Sequence, residues 1–163
     1  MVVTRLLAPA MLAAAALGVA LAVTQPAAAA DPAPGEGLRT IATTHAFGTL
    51  WNKLKAAVKA NGMGVVAQAC ASCGAKGRGV TIPGNGVVMV FRNDFAVRML
   101  AASVAAGIEA PLRFYLTEDA DGTATLAYRT PSATFAPYQS AELDAMAQEL
   151  DVIWEKIVSD TIK

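Results

Sequence analysis

The sequence predicts a single α+β domain: one mostly antiparallel sheet with helices packed on a face, closed by a long C-terminal helix. Three observations predict it. Apolar residues keep a 3.6-residue period near the C-terminus, at Leu143, Met146, Ala147, Leu150, Trp154, Ile157 and Val158. Short apolar runs of strand length recur upstream, each bounded by Gly, Pro, Asn or Asp. Two of these runs flank Glu118-Asp119-Ala120-Asp121-Gly122, whose closing Asp-Gly is a strong hairpin signal. The segments follow the order strand, helix, strand, loop, strand, helix, hairpin, helix, without regular βαβ alternation.

Residues 38–43 alternate weakly and read as the first strand. Phe47, Leu50, Trp51, Leu54 and Val58 then fall on one helical face, with Lys53, Lys55 and Lys59 off it. Thr44 or His45 is the expected cap, and Asn61-Gly62 the expected stop. Residues 63–69 read as a strand. Gly74, Gly77, Gly79, Pro83, Gly84 and Gly86 mark 70–86 as mostly loop, with room for a short helical turn at 70–75. The unbroken apolar run 87–91 predicts the most buried strand. Asn93 is the expected cap of a helix to about Ser103, with Asp94 in its first turn and Phe95 and Met99 one turn apart. Gly107 ends that excursion. Residues 112–117 and 123–130 form the hairpin, and 131–138 read as a loop. Ser140 caps the last helix, where Glu142 and Asp144 suit the positive end of the dipole.

The N-terminus has a different texture. Arg5 is the only charge in residues 1–30, and an apolar stretch leads through Pro26 to Ala27-Ala28-Ala29-Ala30-Asp31. Small residues at Ala28 and Ala30 suit signal peptidase. Pro9 and the high alanine content argue against a retained anchor. The expected organisation is a signal peptide at 1–30, a flexible tether at 31–37 and the α+β domain at 38–163. The expected location is the periplasm or the exterior, with no membrane association after the signal is removed. Thirteen basic and thirteen acidic residues give no net charge, which argues against nucleic acid as a partner.

Cys70-Ala71-Ser72-Cys73 is the sharpest chemical feature. Two thiols three residues apart can close a disulfide, exchange with other thiols, or bind a soft metal. In an oxidising compartment a static disulfide comes first. A metal reading would use Cys70, Cys73 and the single histidine, His45. That set falls short of a closed zinc site, while copper(I) could be held by the two thiolates. Gly74 stands where covalent haem attachment needs histidine. The glycine run fits no nucleotide-binding spacing, since Ile82 and Asn85 occupy the decisive positions. No nucleophile motif accompanies His45, so no catalytic residue is assigned. A small anionic ligand is a further possibility. Arg92 and Asn93 open a strand-to-helix turn, Arg113 lies on a neighbouring strand, and Tyr115 or Tyr128 would line such a pocket. The competing expectation pairs these arginines with nearby acids such as Glu109 or Glu118.

Phe91-Arg92-Asn93-Asp94, Met99-Leu100, the run from Gly107 to Arg113, Glu118 to Gly122, Tyr128-Arg129-Thr130-Pro131-Ser132 and Phe135-Ala136-Pro137-Tyr138 together resemble the family called domain of unknown function 302. The resemblance covers roughly 38–138. It implies a small α+β domain that forms a homodimer, and it brings no established reaction. The Cys70–Cys73 pair is not inherited from it. Phe47, Trp51, Met99, Met146 and Trp154 are expected in the core; alternatively, part of the last helix's broad apolar face packs against a second subunit. The expected function is therefore an exported, non-enzymatic module that binds a small ligand or a protein. The alternative is a periplasmic thiol-redox or copper- or sulfur-handling protein acting through Cys70 and Cys73.

Overall fold

The computed structural model describes residues 35–163. The expected signal peptide and residues 31–34 of the expected tether lie outside the described residues. Five strands form one sheet: β1 (Leu38–Ala46), β2 (Gly64–Cys70), β3 (Asn85–Phe91), β4 (Leu112–Glu118) and β5 (Thr123–Arg129). Their order is β1-β5-β4-β3-β2, and every neighbouring pair is antiparallel. The two strands that open the chain therefore lie at opposite edges of the sheet. The helix between them, α1 (Phe47–Ala60), spans that gap across one face.

Side-chain alternation decides which face is covered. Val88 and Val90 of β3, Phe114 and Leu116 of β4, and Ala124, Leu126 and Tyr128 of β5 point into the core. On that face lie α1, α3 (Asn93–Ala102) and α5 (Ala141–Ile162). The ring of Phe114 stacks on Trp154 of α5 at 5.5 Å and tilts against Tyr128 at 5.4 Å. Leu143, Met146, Ala147, Leu150, Trp154, Ile157 and Val158 are all buried, so the periodic face of α5 is spent on this chain's own core. Ser140 Oγ accepts the Leu143 N–H at 3.3 Å and caps the helix as expected. Asn61, after α1, donates from Nδ2 to Ala57 O and to Asp160 of α5, fastening the ends of the two helices.

Several local expectations are corrected. Thr44 and His45 do not cap α1. After a register shift beyond Ala42, β1 pairs with β5 again at Ala46 opposite Thr123, so the chain stays extended to Ala46, the uncapped N-cap. Thr43 spends its hydroxyl on Ala124 O at 2.6 Å. Likewise Arg92, not Asn93, is the N-cap of α3, because β3 remains paired as far as Phe91. The segment 70–86 does contain the helical turn allowed at 70–75, as α2 (Ala71–Lys76). A 3-10 turn occupies Ala105–Glu109, around Gly107. The expected loop 131–138 contains α4 (Pro131–Phe135) and a 3-10 turn. Pro131 suits a first helical position, and Thr130 Oγ accepts the Ala133 N–H. Of the expected tether, Gly35 to Gly37 is tied to the domain: Leu38 N–H donates to Gly35 O, Thr130 N–H to Gly37 O, and Arg129 Nη1 to Glu36 O at 2.6 Å.

Candidate functional site

Antiparallel pairing of β2 with β3 sets Cys70 opposite Gly86. The chain then turns into α2, and a disulfide joins Cys70 to Cys73 across the turn. Cys70 is half-buried and Cys73 exposed. Cys70 Sγ accepts the Cys73 backbone N–H at 3.1 Å and lies 3.5 Å from Ser72 Oγ. The same Ser72 hydroxyl accepts the Asn85 N–H at 3.2 Å, pinning the turn to the start of β3.

Facing this turn is the first part of α1. Phe47 and Trp51 sit one turn apart with rings stacked at 5.8 Å. Both are half-buried, on the shoulder of the helix beside the fully buried Leu50 and Leu54. Each ring lies against a glycine. A Cβ on Gly84 would stand 2.5 Å from Phe47 Cγ, and one on Gly86 would stand 2.5 Å from Trp51 Cζ3. The bare backbone at these two positions lets flat rings press onto the strand. Gly84 is also held in place: its N–H donates to Glu118 Oε2 at 2.6 Å, and its carbonyl accepts the Glu118 N–H at 2.7 Å.

Between the rings and the disulfide turn runs an open groove of about 660 Å³. Phe47 and Trp51 of α1 line it together with Ser72, Cys73 and Lys76, and with Ile82 and Glu118. The groove thus brings Cys73 and two aromatic side chains to one concavity, with a cation and an anion on its lining. A second hollow, of about 30 Å³, is lined by Arg92 together with Val90, Phe95, Met99 and Trp154.

The profile of the family described as Domain of unknown function DUF302 matches residues 39–160. The chain belongs to the DUF302 family. A crystal structure of an uncharacterized conserved DUF302 protein from Bacillus stearothermophilus is similar, with a TM-score of 0.66 at 15% identity, covering 79% of this chain and 100% of that one. That likeness concerns the fold alone. No curated protein matches the chain. DUF302 membership confirms the resemblance and the α+β class, and it supplies no reaction.

This DUF302 domain does not gather the residues expected to bind an anion. Arg92 makes two bonds to Asp94, at 2.7 and 3.0 Å, and its guanidinium lies 4.3 Å over the Phe95 ring. The Arg92 hydrogen bond holds the Asp94 carboxyl below the usual aspartate range. Asn93 is the first residue of α3. Arg113 points to the uncovered sheet face, beside a hollow of about 70 Å³ shared with Glu109 and Arg129. Tyr128 faces the core, beside a separate hollow of about 150 Å³ with Arg39, Ser132 and Asp151. Phe114 pairs with Tyr128 in the β4–β5 ladder, so Arg113 and Tyr128 lie on opposite faces. Glu109 accepts the Tyr138 hydroxyl, and Glu118 holds Gly84, so neither takes the expected arginine partner.

His45 ends on β1, half-buried, with Nε2 lacking a hydrogen-bond partner. Among the described residues no three His, Cys, Asp or Glu side chains come together to hold a metal. The expected set of Cys70, Cys73 and His45 is therefore not assembled, and the two sulfurs are bonded to each other.

Sequence reasoning found the cysteines but not that Phe47, Trp51, Gly84 and Glu118 line one groove with Cys73. A period of 3.6 assigns both aromatics to the core, and the glycines read as loop punctuation. The available signal was their spacing: Gly84 and Gly86 are two apart, hence on one face of a strand.

Proposed function

We propose that this DUF302 protein is an exported binding module whose site is the groove between α1 and the Cys70–Cys73 turn. One observation carries the reading: the Phe47 and Trp51 rings abut the backbone of Gly84 and Gly86, so an aromatic wall stands ready before any ligand arrives. A preformed wall spares the ligand the entropy of ordering it. Open along its length, the groove suits an extended polypeptide segment that lays an apolar side chain on the rings, with Lys76 and Glu118 meeting its polar groups. In this reading the protein works in the periplasm or outside the cell.

A second copy completes the proposal. The sheet face opposite the core has no covering layer in the described chain. Val87, Met89 and Phe91 of β3 lie there half-buried, and Tyr115 of β4 is 39% exposed. This apolar strip, rather than α5, is the surface offered to a homodimer partner.

Trp51 reports on the site directly, because Trp154 is only 1% exposed and contributes a constant background. Titration with a synthetic hexapeptide containing phenylalanine and serine but no cysteine is expected to give a saturable change in tryptophan emission. Phe47→Ala is expected to weaken that binding about tenfold, the loss of one aromatic contact. Emission that ignores the peptide, or an affinity unchanged in Phe47→Ala, would refute the groove as the site.

A further inference from the structure

We infer that the occupant of the groove carries a thiol, and that it exchanges with the disulfide at Cys73, with Cys70 as the leaving sulfur. This inference rests on the groove being the binding site and adds the chemistry of its ligand. The asymmetry of the two sulfurs points to it. Cys73 is exposed and lines the same groove as the aromatic pair. Cys70 is half-buried at the end of β2, and its sulfur already receives the Cys73 N–H at 3.1 Å, with the Ser72 hydroxyl at 3.5 Å. A sulfur that collects donors is the better leaving group, because they stabilise the thiolate it becomes. An accessible sulfur beside a binding wall is the better target. Lys76, three residues beyond Cys73 and on the same wall, adds a positive charge near the incoming thiolate.

The exchange balances as follows. A thiolate of the bound polypeptide attacks Cys73 Sγ, forming a polypeptide–Cys73 disulfide. The Cys70–Cys73 bond breaks, its electron pair passes to Cys70 Sγ, and that thiolate takes a proton from water. A second thiolate of the same polypeptide then attacks its own disulfide-bonded sulfur, and Cys73 departs as thiolate. The polypeptide dithiol is oxidised to a disulfide, and the protein's disulfide is reduced to two thiols.

The first step is testable on the unmodified mature protein. Disulfide-form protein is mixed with a hexapeptide holding one cysteine beside a phenylalanine, and freed thiols are capped with iodoacetamide. Peptide mapping by mass is expected to place the hexapeptide on Cys73 and the cap on Cys70. Exchange is expected to run at least about tenfold faster than with glutathione, a preference lost in Phe47→Ala. The hexapeptide on Cys70, no mixed disulfide at all, or equal rates with glutathione would each overturn the inference. The serine hexapeptide separates the two levels. If it binds while the cysteine hexapeptide does not exchange, the groove stands and the thiol chemistry falls. If neither acts, both fall.

Discussion

The ring of Trp51 lies on the bare backbone of Gly86, so close that a Cβ there would stand 2.5 Å from Cζ3. Gly86 pairs with Cys70 across the β2–β3 ladder. One strand position therefore brings the aromatic wall and the disulfide turn together, and the absence of a side chain is what permits it.

That relationship makes Gly86→Ala a direct probe. The new methyl has to displace a ring held between helix and strand, which is overpacking and costs about 1–3 kcal/mol. Urea denaturation followed by far-ultraviolet circular dichroism is expected to show a lower midpoint, with an altered native tryptophan emission. Gly84→Ala is expected to behave alike through Phe47. Midpoints unchanged in both variants would mean the rings are not seated as described.

The short helix α4 yields a second expectation. Thr130 Oγ accepts the Ala133 N–H, and Asp151 of α5 accepts the Ser132 N–H at 3.0 Å, so two of its orphan donors are met from outside the helix. Thr130→Val is expected to cost about 1 kcal/mol, the worth of one N-cap. Chemical denaturation measures it.

Stability in acid carries the mark of a pair linking α3 to α5. Arg98 makes two hydrogen bonds of 2.7 Å to Glu149. They hold the Glu149 carboxyl below the usual glutamate range. The folded carboxyl therefore loses its proton more readily than the unfolded one. The pair's contribution is present above the ordinary glutamate range and is lost as pH falls through the folded value. Thermal melts of the native protein and Glu149→Gln are expected to differ at neutral pH and converge in acid. Both side chains are exposed, so the difference is small and shrinks further in high salt.

The homodimer proposal predicts that Met89→Arg separates the copies, since it sets a charge in the middle of the uncovered strip. Sedimentation velocity is expected to show a dimer for the native chain and a monomer for the variant. A native monomer, or a dimer indifferent to Met89→Arg, would refute that surface.

Much of this architecture was legible in the sequence, because it is written in local patterns. The period of α5, the Asp-Gly hairpin and the Asn61-Gly62 stop each depend on neighbours along the chain. What stayed hidden depends on residues distant in sequence. The end of β1 is set by Thr123, so Thr44 and His45 could not be excluded as caps locally. The groove needs Phe47 and Trp51 to meet Gly84 and Gly86, more than thirty residues later. The separation of Arg113 from Tyr128 stayed hidden for a related reason. Arg113 and Tyr128 sit on adjacent strands, and only the β4–β5 register assigns them to opposite faces.

Backbone amide shifts offer the most direct test of the central claim. In two-dimensional spectra of the labelled protein, the serine hexapeptide is expected to move resonances of Phe47, Trp51, Ser72, Cys73, Lys76 and Gly84, leaving Arg113 and Tyr128 still. Shifts confined to the uncovered sheet face, or none at saturating peptide, would contradict the account.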